Sequence, residues 1–146
     1  MEPNKNLNLT IFEGEENKVK RATTLDLNNE SEAEQLLNAM TEVDHKLNDC
    51  VDKELVIVGD LIQEFTTESI SEDTGEMIAR KKHTLILFDE KGETYVTGSG
   101  ACYLSYINIV SIKGRPSKEK PLYLTPIKTD AKEKGHFYLR LKLSKK

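Results

Sequence analysis

From Leu55 onward the chain is punctuated as three strands, one helix and two strands, and that order constrains its fold more than any other feature. Leu55–Phe65 carries Val56, Ile57, Val58 and Ile62 in a loosely alternating pattern, the β-branched composition of a half-buried strand. Met77–Phe88 forms a second such run. Asp89-Glu90-Lys91-Gly92 then reads as a tight turn leading into a third strand, Thr94–Thr97. Gly98-Ser99-Gly100 breaks that strand, the apolar residues from Ala101 to Ile112 recur at helical spacing, and Gly114 ends the helix. Leu122–Ile127 and Phe137–Leu143 flank the turn cluster 129–135 as a last hairpin. The implied class is α+β, mostly β: a five-stranded OB-fold barrel with a helix between strands three and four, plus an N-terminal arm and helix. Such barrels commonly bind single-stranded nucleic acid or oligosaccharide, but element order alone does not decide function.

The front of the chain is different in kind. Residues 1–30 are polar and Asn-rich, with Leu7, Leu9 and Ile11 placed on one side of an extended piece. So little apolar surface leaves the segment either disordered or laid against something, and if it adds a strand to a neighbouring subunit it would make homo-oligomers. Val19–Leu27 is a candidate short strand. Residues 31–50 read as a helix with Ser31 as N-cap and Glu34 in capping-box position. Leu36, Leu37, Met40, Val43 and Leu47 form its apolar stripe, and Glu32, Glu34, Glu42 and Asp44 make its other face acidic. The expected organisation is an arm over 1–30 and one domain over 31–146, the helix 31–50 packing on a barrel over 54–143.

Charge is segregated along the chain. Residues 1–75 hold 6 Lys+Arg against 18 Asp+Glu, a net of −12, whereas residues 76–146 hold 15 against 7, a net of +8. Local potential rather than net charge steers a polyanion, so the rear strands are the place to look for one. The competing reading is that the two halves pair and cancel. The N-terminus lacks the basic start and apolar stretch of a secretory signal, and no apolar run approaches the ~20 residues needed to span a bilayer. The expectation is a cytoplasmic protein with no membrane partner and with Cys50 and Cys102 as free, buried thiols.

Catalytic chemistry finds little support. His45, His83 and His136 are scattered, and His45 and Cys50 are five apart, off a shared helical face. Gly98-Ser99-Gly100 lacks the Lys and Ser/Thr that complete a phosphate-binding loop. No paired-carboxylate or nucleophile–base pattern stands out. The sequence therefore predicts no enzyme, no metal and no cofactor.

Binding residues are better placed. In the last strand His136, Tyr138, Arg140 and Lys142 alternate with Phe137, Leu139, Leu141 and Leu143, so the first set should face outward. Tyr123 and Thr125 should join them across the hairpin. In the second strand Arg80 and Lys82 alternate with neighbours in the same way, and Tyr95 faces them from the third. The basic loop 113–121 adds Lys113, Arg115 and Lys118 as phosphate contacts. Tyrosine faces can stack on bases and the cations can meet phosphates, although strand tyrosines also serve simply to cover a sheet.

The stretch Phe88-Asp89-Glu90-Lys91-Gly92-Glu93-Thr94-Tyr95-Val96-Thr97-Gly98-Ser99-Gly100, continued by Ile107-Asn108-Ile109-Val110, resembles single-stranded DNA-binding proteins of Gram-positive phages and conjugative elements. Size and an acidic front resemble most the PrgE-like proteins of enterococcal conjugative plasmids. The resemblance spans residues 54–143 and is one of pattern. It implies an OB fold that binds single-stranded DNA, or RNA, with little sequence preference and without catalysis, coating or protecting strands during conjugative transfer or phage or plasmid replication. The chain departs from housekeeping single-strand binders by ending Leu143-Ser144-Lys145-Lys146 in place of an acidic tail, and by lacking tryptophan. The alternative from another class is a non-catalytic protein–protein interaction module.

Overall fold

A computed structural model describes residues 10–13, 19–130 and 137–144, with the side chains of β1 and of Thr67, Asp130 and Phe137 not described. It is mostly strand with two helices. The elements are β1 (Thr10–Glu13), β2 (Val19–Thr23), α1 (Glu30–Thr41), β3 (His45–Lys46), a 3-10 turn (Leu47–Cys50), β4 (Leu55–Ile70), β5 (Met77–Asp89), β6 (Thr94–Thr97), α2 (Gly100–Lys113), β7 (Leu122–Asp130) and β8 (Phe137–Leu143).

All the strands belong to one curled, open sheet, a half-barrel organised around β4. One edge of β4 pairs with β5 along its length; the other pairs with β7 at Leu55–Ile57 and with β2 at Leu61–Phe65. The register shifts between Ile57 and Gly59, where β4 passes from one partner to the next. Gly59 allows a close approach there: a Cβ would sit 3.1 Å from Leu25 Cδ2 and 3.2 Å from Thr24 Oγ1, so those side chains would have to shift to admit one. The chain after β2 lies that close because Asp60 N donates to Thr24 Oγ1 at 2.9 Å and Thr23 Oγ1 donates to Asp60 O at 2.7 Å.

The run Leu85-Ile86-Leu87-Phe88 is apolar without alternation because both faces of the sheet are covered. Leu85 and Leu87 point into the concave core with Ile57, Leu124, Leu141 and Tyr106 of α2. Ile86 and Phe88 point the other way, with Leu61, and are covered by Leu25 and by Leu36 and Ala39 of α1. α2 starts on a Ser99 cap and ends at Gly114, whose φ of 86° only glycine adopts readily. It lies against β8: Leu141 N donates to Ser105 Oγ at 2.8 Å, satisfying a backbone group on the open side of that strand.

Two expectations are corrected. The helix over 31–50 ends at Thr41, and its cap is Asn29, whose Oδ1 accepts from Glu32 N at 3.1 Å. Asp44 carries the chain out of the helix by exchanging bonds with Thr94, N to Oγ1 at 2.9 Å and Oδ2 from N at 3.0 Å. His45–Lys46 then pair in parallel with Tyr95–Val96. The single predicted stripe is thereby divided: Leu36 lies under the convex face, Leu47 enters the concave core, and Leu37 stays 63% exposed. Nor are residues 10–13 and 19–23 an arm apart from the domain, since β1 pairs with β2 and β2 with β4 in the same chain. Leu7, Leu9, His136, Lys145 and Lys146 lie outside the described residues.

Candidate nucleic-acid interface

Strand alternation builds the surface on β7 and β8. Leu139 and Leu141 are buried, which turns Tyr138, Arg140 and Lys142 outward, with Tyr138 49% exposed. Cross-strand register sets Thr129 opposite Tyr138, Ile127 opposite Arg140 and Thr125 opposite Lys142. Leu122 and Leu124 are buried on β7, so Tyr123 shares the outward side and sits half-buried opposite Val56 of β4. Successive outward residues are roughly 6.6 Å apart along a strand, with directly opposed Cβ atoms about 5 Å apart. The face thus carries two tyrosines and two cations on one pair of strands.

Other candidates lie elsewhere. Arg80 and Lys82 are exposed on β5, opposite Thr67 and Phe65 of β4, Phe65 being the last residue of β4 that also pairs with β2. β4 and β7 intervene between them and β8 in the sheet. Lys113 is exposed in the last turn of α2, where a cation complements the helix dipole, and Lys118 is exposed in the following loop.

Tyr95 and Arg115 are corrected outright. Tyr95 is 7% exposed on the concave side, its hydroxyl donates to Asp89 Oδ2 at 2.8 Å, and its ring stacks on His45 with centroids 5.0 Å apart. Burial first, and then Asp89, push its phenol well above the ordinary range. No base can reach that ring. Arg115 is likewise buried. Its Nε donates to Asp60 Oδ2 at 2.7 Å, a second bond joins its terminal nitrogen to Oδ1, and the Tyr106 hydroxyl also donates to Asp60. Burial raises the Asp60 carboxyl, opposed by the charge and hydrogen bonds of Arg115 and the hydrogen bond of Tyr106. The guanidinium is committed to that carboxylate and anchors the loop after α2. Asp60 was the missed signal: a carboxylate inside Val58-Gly59-Asp60-Leu61-Ile62 must find a buried partner.

Beside this loop an open groove of about 1280 Å³ separates it from α1. Glu32 and Glu34 of α1 line it, as do Glu90 beside Lys91 and Glu119 between Lys118 and Lys120, so its potential is mixed. α1 also covers Ile86 and Phe88, the continuation of the β5 face that bears Arg80 and Lys82. The face expected over β5 and β6 is therefore divided: α1 covers its Ile86–Phe88 end, Arg80 and Lys82 stay exposed at the other, and Tyr95 turns to the opposite side of the sheet.

Among the described residues, no three His, Cys, Asp or Glu side chains are grouped to hold a metal ion. Among them also, no helix is long and apolar enough to cross a membrane. Compared with known proteins, the chain matches no family model, no curated protein and no solved structure.

Proposed function

We propose that the protein is a non-catalytic, OB-type binder of single-stranded nucleic acid with little sequence preference. Its strand order β6-β5-β4-β7-β8, with a helix between β6 and β7, is compatible with that barrel in an open form. The reading rests on the outward face of β7–β8, where Tyr123 and Tyr138 offer rings to bases and Arg140 and Lys142 meet the phosphates. Arg80, Lys82, Lys113 and Lys118 extend the field for a longer strand. In this reading the protein coats or protects strands in the cytoplasm during conjugative transfer or phage or plasmid replication.

Fluorescence anisotropy with oligo-dT, the matching RNA and a duplex tests it. Binding should weaken as salt rises, and Tyr138→Ala should lose about 1–3 kcal/mol of affinity. Arg140→Gln with Lys142→Gln should flatten the log–log salt slope by about 1.4, at ~0.7 per phosphate contact. Absence of oligo-dT affinity at low salt refutes the proposal. The groove of mixed charge favours a second reading, a polypeptide partner recognised between α1 and the 115–120 loop, which predicts that outcome.

A further inference from the structure

The β4–β5 ribbon ends at Ile70 and Met77, which face each other across its last rung. They are 68% and 65% exposed. The connecting loop is held by its own bonds, Ser71 N to Glu76 O and Gly75 N to Ser71 O, both 2.8 Å, with Gly75 at a φ of 72°. Residues 68–76 carry Glu68, Glu72, Asp73 and Glu76, all exposed, and no Lys or Arg. An ordered tip that sets two bare apolar side chains among carboxylates has the composition of a contact surface, and one that repels nucleic acid.

The outward face of β7–β8 is its complement in charge, with Arg140 and Lys142 exposed beside the apolar surface of Tyr138 and Ile127. We propose that the acidic hairpin tip of one copy docks on the β7–β8 face of a second copy. Ile70 and Met77 lie against Tyr138 and Ile127, and the tip carboxylates against Arg140 and Lys142. The two surfaces differ, so the contact is heterologous and propagates from copy to copy in an open chain or a ring. It shares a face with the nucleic-acid reading without depending on it. Where both hold, the tip stands in for a polyanion, and a bound strand competes with the neighbouring copy.

Sedimentation velocity on the full chain over a concentration series, at low and high salt, tests this with two charge-reversal variants whose folding is checked by circular dichroism. One carries E72K, D73K and E76K; the other carries R140E and K142E. Wild type should gain mass with concentration at low salt and lose it at high salt. Each variant alone should stay monomeric. An equimolar mixture should associate with the two variants alternating, because there the basic tip meets the acidic face and the unchanged tip meets the unchanged face. A monomeric wild type, a tip variant that associates like wild type, or a mixture that stays monomeric overturns the proposal. Oligo-dT titration keeps the two ideas separate. The tip variant should retain oligo-dT affinity, and failure of wild type to bind oligo-dT would remove the nucleic-acid reading while leaving the sedimentation result to stand.

Discussion

Replacing Arg115 by methionine leaves Asp60, 0% exposed, with the Tyr106 hydroxyl as its remaining side-chain donor. The substitution removes two charge-assisted hydrogen bonds, each of about 1.5–3 kcal/mol, a loss of roughly 3–6 kcal/mol. Breaking a buried ion pair from one side typically costs about 3–5 kcal/mol, which agrees. Against a total stability of about 5–15 kcal/mol for a domain, R115M should be severely weakened at pH 7. The deficit should depend on pH. Burial already raises the Asp60 carboxyl, and the variant loses the Arg115 charge and hydrogen bonds that oppose that rise. A carboxyl raised by folding contributes most stability below its unfolded value of about 3.9, and the contribution is lost as pH climbs through the folded value. The deficit of R115M should therefore shrink as pH falls from neutrality into the acid range, where Asp60 can take a proton. Pairing Asp60→Leu with Arg115→Met removes both charges and should restore stability to within about 1–2 kcal/mol of wild type. Urea denaturation followed by circular dichroism at several pH values reads all three proteins. A loss under about 1 kcal/mol for R115M at pH 7, or a double variant as weak as the single, would refute the uncompensated-charge argument.

Asn29→Ala removes the cap of α1 and should cost about 1 kcal/mol, whereas Leu36→Ala, at a site 2% exposed, should cost about 2–5 kcal/mol in the same urea assay. Tyr95→Phe deletes the buried bond to Asp89 and should lower stability by about 1–3 kcal/mol while leaving oligo-dT affinity unchanged, because the ring faces the core. Loss of binding without loss of stability would return Tyr95 to the interface. Burial pushes the Cys102 thiol up to about 12, with Thr97 opposing. At pH 8 it should stay protonated and react with an aromatic disulfide reagent only on unfolding. Rapid native labelling at Cys102, located by peptide mapping, would contradict that burial.

Local signals carried much of the architecture. β6 and β8 match the residues expected of them, and α2 runs one residue further at each end, because a serine cap, glycine stops and short turns define these elements within a few residues. Alternation also gave the outward set Tyr138, Arg140 and Lys142, since period two depends only on the strand's own geometry. The β4–β5 ladder beyond Phe65 was less legible. Thr66-Thr67-Glu68-Ser69 reads as polar loop, and the cross-strand partners Ile78 to Lys81 make it strand.

Sequence on its own determined the kind and order of the main elements and the side of a strand on which each residue lies, because those follow from chemistry between near neighbours. Tertiary structure decided what covers each side. The pull of Asp44 on Thr94 ended α1 at Thr41, Asp60 drew Arg115 out of solvent, and α1 closed over Ile86 and Phe88 of β5. Those outcomes join residues 46 to 55 positions apart or more, and burial, which sets the energy of each contact, is a property of the folded whole.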